Sequence, residues 1–523
     1  MIAVAAPAQD HPVVAEFFEL FKTPWEFFQN GNSAKVLLCA QNEIPASDAK
    51  LVLIYGSEIT SFDRAQPGTM KPQGARTFFA RGEKKFPVYG PSLAFENAPL
   101  REIKNGSQTV VRLGYDLFSE VRHLLTAGQP MEHAGTPTLD CHIALLRELI
   151  VRHAPPLVEI PPVPAGSNFI ACLTHDVDHV GVRNHKFDHT MFGFLFRATV
   201  GSVLDVLRGK KTFGQLLTNW LAVMKLPFVH LGLAKDFWYQ FDHYVELENG
   251  APSTFFVIPK KGETGLDANG GRPAKRAASY DARDLKEILR GLEKRGKEVC
   301  VHGLDAWRDA AAGRDEKKII SELTGTADSG IRMHWLYFGE RSHATLEQAG
   351  FVYDSTVGYN GTVGYRAGTT QVFKPLAAKK MLELPMHAMD TALFYPSYLN
   401  LSPKQAAEKI APLINFAAQS GGAFVVNWHD RSLAPERLWD GSYVALISEC
   451  KKNGAWFATA GQAVGWFETR RETSFECDGR SMKIRVGNVS AGKLPGQLVR
   501  LHLSAERFAD RELRDGMEVS LAV

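Results

Sequence analysis

Four apolar segments of the sequence end in histidines or carboxylates, the side chains that bind divalent metals and transfer protons. The first is apolar from Phe169 to Leu173 and then continues with the letters THDVDH at 174–179. The other three end at His302, at Arg332 to His334 and at Asn427 to Asp430. Two carboxylates beside imidazoles suit a divalent metal and a base, which is the chemistry of metal-assisted hydrolysis or proton transfer.

The elements that must position these polar ends lie between residues 166 and 471. Short apolar runs alternate there with helical stretches, which predicts repeated β/α units. Because the carboxyl ends of parallel strands meet at one face of a β/α barrel, the polar ends are expected to form one site. We therefore predict an α/β fold with a barrel at its centre. The predicted strands are 169–174, 254–258, 298–302, 331–335, 382–386, 423–428 and 456–459.

Two further regions flank the predicted barrel domain, 166–471. The letters PPVPAG at 161–166 predict a stiff linker, so a small α/β N-terminal domain is expected over residues 1–160. After residue 471, apolar residues alternate with polar ones, as at Met482, Ile484 and Val486. This period of two predicts a β-rich C-terminal region over 472–523.

An insertion at 187–248, rich in Phe, Leu, Trp, Lys and Arg, interrupts the β/α pattern. Between 191 and 226, basic residues are interleaved with large apolar ones. This favours either peripheral contact with an anionic membrane surface or a helical lid packed on the barrel. The longest apolar segment, 191–207, contains Arg197 and Asp205, so we expect it to fall short of a membrane span.

The net charge, the amino-terminal residues and the motifs indicate which partners, cellular location and cofactors to expect. Sixty Lys and Arg against 57 Asp and Glu give a formal net charge of +3, too small to argue for a nucleic-acid partner. The first ten residues lack a basic region followed by an apolar stretch, so we expect no secretory signal and a cytoplasmic protein. The sequence contains no dinucleotide fingerprint and no P-loop, so we expect no organic cofactor.

The motifs resemble those of the NodB-homology polysaccharide deacetylases of carbohydrate esterase family four, over about residues 166–471. The letters TFFVI at 254–258 are similar to the family's second-strand signature, and GFVYDST at 350–356 is similar to part of its third motif. The resemblance implies a distorted barrel that binds a divalent metal, expected to be zinc. It also implies hydrolysis of the amide bond of an N-acyl amino sugar.

The resemblance also implies roles for single residues. Asp176 is expected to be the general base, oriented by Arg332, and Asp178 is expected to bind the metal. His302 keeps the first histidine of the second motif and is expected to be another ligand. His429 ends an apolar strand as in the fifth motif, and it would protonate the leaving amine, which cannot depart as an anion near neutral pH.

Two departures from the family pattern leave the metal ligands open. The second motif normally reads H-x-x-x-H, but Ala306 stands at the position of the second histidine. In the third motif, His334 stands where the family has proline. Either His334 or Asp305 supplies the missing ligand, or the metal is weakly held or absent.

Other assignments also stay open at this point. Asp390 and Asp430 are both candidates to tune the pKa of the general acid. Arg366, in the loop GYRAG at 364–368, is a candidate to hold a phosphate or carboxylate of the substrate.

The expected substrate is an N-acylated sugar or a lipid-linked saccharide, an intermediate of surface polysaccharide or lipopolysaccharide biosynthesis. Two other functions are compatible with the motifs. One is a metal-independent deformylase or ureide hydrolase of the same fold, which Ala306 would suit. The other is a catalytically silent glycan-binding scaffold protein, although the presence of all the motif residues argues against it.

Overall fold

A computed structural model describes residues 1–31, 34–477, 481–486, 494–504 and 507–520. The other positions of the predicted C-terminal region, 472–523, lie outside the described residues. The described chain forms a central barrel, an N-terminal α/β region and antiparallel strands near the carboxyl end.

The centre of the protein is a curled sheet of nine strands whose neighbours are all parallel. From one edge to the other the strands are Leu382–Glu383, Tyr353–Asp354, Gly330–Met333, Glu298–Gly303, Thr254–Val257, Phe169–Val177, Ala423–Asn427 and Ala388–Met389, with Ala455–Ala458 paired to Phe169–Val177. Four residues, 384–387, join the two edge strands, so the edges lie close together. The predicted α/β fold with a distorted barrel is confirmed.

All seven predicted barrel strands are present, with ends that differ by a few residues. The two that sequence reasoning missed, Tyr353–Asp354 and Ala388–Met389, are two residues long, too short to show a period. Helices cover the outside of the sheet. They are Lys286–Lys294, Ala310–Thr324, Ser342–Ala349, Asp390–Phe394, Pro403–Ser420, Asp440–Lys452 and Ala460–Glu472.

The N-terminal region contains a six-stranded sheet that is parallel except for one antiparallel pair at its edge. Its strands, in hydrogen-bonded order, are Trp25–Phe27, Ile2–Ala5, Val36–Cys39, Leu51–Tyr55, Gln108–Leu113 and Leu100–Asn105. Its helices are His11–Phe21, Ser61–Arg64, Leu117–Thr126 and Thr138–His153. Two small antiparallel pairs complete it, Met70–Gln73 with Ser92–Phe95 and Thr77–Arg81 with Lys84–Val88.

The N-terminal region packs directly on the barrel. Phe373 of the barrel lies in the same apolar core as Phe17 and Leu146. The buried Arg470 donates hydrogen bonds to the carbonyl oxygens of Leu20 and Ile160, at 3.0 and 2.8 Å. A buried guanidinium needs such acceptors, so Arg470 holds the two regions in one arrangement.

The strands near the carboxyl end pair with each other and with a strand that lies just before the predicted linker. Leu498–Ser504 lies between Leu157–Glu159 and Arg507–Glu512, and Ser481–Arg485 lies between Ser474–Cys477 and Met517–Ser520. Met482 and Ile484 are buried in this core, as their alternation predicts.

The insertion is helical. Its helices are His189–Phe196, Arg197–Gly201, Ser202–Leu207, Phe213–His230 and Phe241–Glu248, of which the second is a π-helix. Met191, Phe194 and Trp238 pack in a small core with Ala434 of the barrel. The first three helices run on as one helix, His189–Leu207, which is long and apolar enough to cross a membrane by length and composition. This finding concerns length and composition only, and the expectation that the segment does not span a membrane stays a prediction.

Candidate active site

The side chains of the site come from interior positions at the carboxyl ends of four strands, which with Thr254–Val257 make five consecutive strands of the sheet. Side chains along a strand alternate between the two faces of a sheet. Ile170 and Cys172 belong to the core inside the barrel, so Asp176 faces inward by the same parity. His302, Arg332 and Asn427 occupy the matching interior positions of their strands: Cys300 and Val425 lie in that core two residues before His302 and Asn427.

His175 has the opposite parity and lies in the outer layer. It is fully buried, with Nε2 2.7 Å from Glu248 Oε1 and Nδ1 2.8 Å from the carbonyl oxygen of Trp428. Of the two histidines in the first polar segment, only His179 lines the catalytic cavity. His175 is a structural residue that fastens the insertion to the barrel.

Asp176 is a buried carboxylate held by two partners. Arg332 Nη1 donates to Asp176 Oδ1 at 2.9 Å, and Asn427 Nδ2 donates to Oδ2 at 2.7 Å. Burial raises the pKa of Asp176, but the charges of His302, Arg332 and His429 outweigh it and leave the pKa below its ordinary value. Asp176 is therefore ionised, the state that a general base requires.

Arg332 is itself fixed from both sides. It is fully buried, and its Nε and Nη2 donate to the backbone and side-chain oxygens of Ser355, each at 3.0 Å. The guanidinium stacks over the ring of Phe256, 4.4 Å from its centroid. Arg332 thus orients Asp176 without reaching the cavity, since it is absent from the cavity lining.

Asp178, His302 and His334 form a group able to hold a metal ion. Asp178 Oδ1 lies 3.5 Å from His302 Nε2 and 3.6 Å from His334 Nε2. These separations are too long for hydrogen bonds. They match ligand atoms that share one ion, because two ligands about 2.1 Å from a tetrahedral metal lie about 3.4 Å apart.

The protonation of this group fits a metal site. His302 Nδ1 lies 2.9 Å from the carbonyl oxygen of Arg332, which can only accept, so Nδ1 carries the proton and Nε2 faces the carboxylates. Burial lowers the pKa of His334 to about 3, so its ring is neutral. Asp178 Oδ1 is buried without a hydrogen-bond partner among the described residues. A cation would satisfy that oxygen and both imidazoles.

The two candidates for the missing ligand lie in different places. His334 joins the group, whereas Asp305 Oδ1 accepts the backbone N–H of Leu266 at 2.8 Å. Ala306 is fully buried, and a Cβ added at Gly313 would lie 3.2 Å from its side chain. A larger side chain at 306 would therefore collide with the helix Ala310–Thr324, and His334 approaches from the next strand instead.

His429 lies across the site from Asp176 and pairs with Asp390. Its Nδ1 is 2.6 Å from Asp390 Oδ1, while its Nε2 points to Asp178 Oδ2 at 4.0 Å. Burial lowers the pKa of His429, but the carboxylates, Asp390 first, raise it to about 10. His429 is thus an imidazolium at neutral pH and can donate a proton. Asp430 instead accepts the backbone N–H groups of His179 and Val180.

A cavity of about 470 Å³ opens over these groups. Trp335 and Tyr398 line it and are 40% and 44% exposed, so their rings lie at its mouth. Arg366 lines a different cavity, of about 1170 Å³, beside Arg76 and His123. The two cavities adjoin, since Asn360 and Tyr398 line both, and a contact of Arg366 with a substrate phosphate or carboxylate stays a prediction.

Sequence reasoning missed Asn427 as a partner of Asp176. The sequence does indicate a polar side chain at this strand end, because Asn427 is the first polar residue after the apolar run 423–426. Asn427 lies one residue before Trp428 and two before His429, and the family motif at this strand end is defined by the histidine. The pairing itself joins residues 251 positions apart, which no local pattern reveals.

No protein-family model matches the chain, and no curated protein matches it. Solved structures match at low similarity. A Mycobacterium smegmatis protein classed as a polysaccharide deacetylase is 17% identical with a TM-score of 0.36, over 60% of this chain and 96% of that one. The allantoinase Puue is 13% identical with a TM-score of 0.36, over 59% and 94%. The Bc1960 peptidoglycan N-acetylglucosamine deacetylase is 12% identical with a TM-score of 0.29, over 58% and 90%.

The matching structures thus include polysaccharide deacetylases, the family that the sequence motifs resemble. At these identities and TM-scores they do not identify an activity for this chain.

The first prediction concerns the metal ligands. We expect the purified protein to bind about one divalent metal ion, and Asp178→Asn and His334→Ala to lose it, because each removes one ligand atom of three. Inductively coupled plasma mass spectrometry measures the content. Asp305→Asn is the matched control and should keep the metal. A wild-type metal content in His334→Ala would exclude His334 from the ligands.

The second prediction concerns the pairing of His429 with Asp390. Asp390→Asn should lower the pKa of His429 from about 10 toward its ordinary value, because an amide carries no negative charge. The variant then loses the imidazolium proton at a lower pH than the wild type. NMR titration of the His429 ring, assigned with His429→Gln, measures the shift. Asp430→Asn is the control, and an unchanged pKa in Asp390→Asn would contradict the pairing.

Proposed function

We propose that the protein is a metal-assisted deacylase that hydrolyses the amide bond of an N-acyl amino sugar. The observation that carries the proposal is the arrangement of three functional groups around one cavity. These are the ionised base Asp176, the group Asp178, His302 and His334, and the imidazolium His429. Amide hydrolysis needs a base for water, stabilisation of an oxyanion and an acid for the leaving nitrogen.

The chain's own residues divide the proton transfers between them. Asp176, held by Arg332 and Asn427, accepts a proton from the attacking water. His429 donates its Nε2 proton to the leaving nitrogen, and Asp390 stabilises the charged ring until then. When bound by Asp178, His302 and His334, a divalent ion supplies Lewis-acid polarisation of the acyl group. Two imidazoles and a carboxylate with open positions suit zinc.

The form of the cavity supports a sugar as substrate. Trp335 and Tyr398 present exposed rings at its mouth, and apolar faces of this kind pack against the C–H groups of a sugar ring. Polar groups lie deeper, where the acyl group would be placed. The volume of about 470 Å³ is enough for one or two sugar units, and the adjoining cavity, which shares Asn360 and Tyr398, offers room for more.

The two alternatives are less well supported. A metal-independent hydrolase would have no need for Asp178 Oδ1 to lie between two imidazole nitrogens without a hydrogen bond. A silent scaffold would have no need for the buried, ionised Asp176 and the protonated His429 in one cavity, since burying charges costs free energy.

The third prediction tests the activity. Asp176→Asn should lower kcat for acetate release from N-acetylglucosamine saccharides by about 100- to 10,000-fold, the usual worth of a general base. The variant should keep its metal, and a chelator should abolish turnover of the wild type. Asp309→Asn, which changes an exposed helix cap, is the control with unchanged kcat.

Two results would contradict the proposal. Turnover that survives complete removal of metal would favour the metal-independent hydrolase. Glycan binding without turnover of any N-acylated saccharide would favour the scaffold.

We further propose that the substrate is linked to lipid and that the insertion binds the surface of a membrane. The support is an exposed apolar face on its two long helices, here called the insertion face. Its most exposed members are Leu207, Phe213 and Met224, at 78%, 72% and 69%. Soluble monomers rarely expose large contiguous apolar surfaces, and such surfaces mark protein or membrane contacts.

Charge around the insertion face favours an anionic bilayer as the occupant. Residues 187–235 contain six Lys and Arg but two Asp. Arg208 and Lys225 are exposed beside the apolar side chains. The cytoplasmic leaflet carries anionic lipids that attract such residues, which agrees with the cytoplasmic location expected from the sequence.

The fourth prediction tests the insertion face. The protein should sediment with vesicles of phosphatidylglycerol and phosphatidylethanolamine, and less with phosphatidylcholine alone. The triple variant Leu207→Glu, Phe213→Glu and Met224→Glu should lose this binding, because glutamate opposes both the apolar and the electrostatic attraction. Phe508→Glu, at an exposed phenylalanine on another region, is the control.

Equal binding of the triple variant and the wild type would contradict the membrane contact. A wild-type dimer that the triple variant converts to a monomer, without vesicle binding by either, would identify a second copy as the occupant and would also contradict it.

A further inference from the structure

Three arginines converge on one wall of the catalytic cavity. Arg197 comes from the long insertion helix, and Arg431 and Arg437 come from the loop that follows the strand Ala423–Asn427. Arg431 and Arg437 are 5% and 7% exposed. None of the expected roles in base, metal or acid chemistry uses these residues. We call the three the arginine wall.

Three carboxylates act on the arginine wall, those of Glu436, Asp390 and Asp430. Two of them have other partners, because Asp390 pairs with His429 and Asp430 accepts two backbone N–H groups. Glu436 is the carboxylate paired with the wall, and its Oε1 lies 3.5 Å from Arg431 Nε. Arg431 Nη1 and Arg197 Nε are buried, and neither has a hydrogen-bond partner among the residues that the structure describes. Buried guanidinium groups normally have partners. Their presence at a cavity therefore points to an anionic ligand.

Two of the three arginines, Arg431 and Arg437, are held in place without that ligand. The guanidinium of Arg431 stacks on Trp238, 4.4 Å from the ring centroid. Arg437 lies 5.1 Å from the ring centroids of both Tyr395 and Trp439 and donates to the Tyr395 hydroxyl. Stacked guanidinium groups lose little further freedom when they bind, so these two arginines are preorganised.

The positive charge of the arginine wall affects the neighbouring hydroxyl of Tyr395. Burial raises the pKa of Tyr395, but the charges of Arg437 and Arg431 outweigh burial and bring the pKa below its ordinary value. Burial, with the charge of Arg437, lowers the pKa of Arg431 to about 10, which still leaves Arg431 charged at neutral pH. The cavity therefore favours negative charge at this wall.

A single hydroxyl connects the arginine wall to the catalytic acid. Ser432 donates to Asp390, the partner of His429, and accepts a hydrogen bond from Arg437 Nη1 at 3.3 Å. An anion at the wall would thus lie on the side of His429, where the leaving amino sugar is expected.

We propose that the arginine wall, Arg197, Arg431 and Arg437, is a subsite for a phosphate group carried by the amino-sugar substrate. The position relative to the acyl group rests on the proposed deacylase function, whereas the binding of phosphate does not. Phosphate fits better than carboxylate, because a phosphate monoester carries about two negative charges at neutral pH and a carboxylate carries one, against three guanidinium groups. The substrate class then becomes a sugar phosphate or a phosphate-linked saccharide.

The test measures binding of inorganic phosphate by isothermal titration calorimetry, with no turnover needed. Arg197→Gln and Arg431→Gln should each weaken phosphate binding about tenfold or more, as expected for a lost charge-assisted hydrogen bond. Arg64→Gln, which removes an exposed arginine of the N-terminal region, is the matched control. Arg197 is partly exposed on its helix, so its variant should fold even if Arg431→Gln does not, and thermal unfolding checks both.

Several results would overturn the inference. Phosphate affinity within about twofold of wild type in Arg197→Gln, or no phosphate binding by any protein, would do so. Binding that persists in both arginine variants but is lost in Asp178→Asn would place phosphate at the metal group instead. Acetate bound more tightly than phosphate, with the same dependence on arginine, would make the subsite a carboxylate site.

Failure of this inference and failure of the deacylase proposal are separable. Hydrolysis of N-acylated saccharides without arginine-dependent phosphate binding would remove the subsite and leave the activity. Arginine-dependent phosphate binding without hydrolysis of any N-acylated saccharide would leave the subsite and remove the activity.

Discussion

The negative charge of Asp176 inside the barrel is the constraint on which the rest of the site depends. An isolated carboxylate in this position would take up a proton, because burial disfavours the charged form. Arg332 and Asn427 prevent this by donating to its two oxygens, and Phe256 and Ser355 fix Arg332 in turn. Side chains at the inner ends of four strands therefore keep this one carboxylate ionised. Substitution of these side chains would remove a contact that the charge requires.

The charges of His334 and His429 are likewise set by burial and by neighbouring carboxylates. His334 is neutral because it is buried, whereas His429 is charged because Asp390 lies against it. Two histidines in one cavity thus hold different protonation states, set by a single neighbouring carboxylate. This separation allows one imidazole to act as a ligand and the other as an acid.

The insertion joins the catalytic cavity to the outside surface. The helix His189–Leu207 contributes Arg197 to the cavity wall and presents Phe196 and Leu207 to the exterior. One element therefore lines the cavity and also faces the surroundings of the protein. In a saccharide that is joined to a lipid through phosphate, the phosphate lies between the sugar and the lipid. Under the two proposals, Arg197 would bind that phosphate and the insertion face would contact the membrane that holds the lipid.

The sequence by itself determined the β/α pattern, the polar ends of the strands and the types of residue at the site. These features are local: a strand shows its period within a few residues, and a polar residue after an apolar run marks its end. The family resemblance added roles for Asp176, Asp178, His302, Arg332 and His429. The structure brings all five together, with Arg332 behind Asp176 rather than in the cavity.

Tertiary structure alone decided which distant residues meet. His334 rather than Asp305 joins the metal group, Asp390 rather than Asp430 pairs with His429, and Arg366 lies in another cavity. The partnership of Asn427 with Asp176 and the convergence of Arg197 with Arg431 had no signal in the chain order. The physical reason is that these contacts span up to about 250 residues and depend on the order of strands in the sheet and on the packing of the insertion. A local sequence pattern contains no information on the strand order or on this packing.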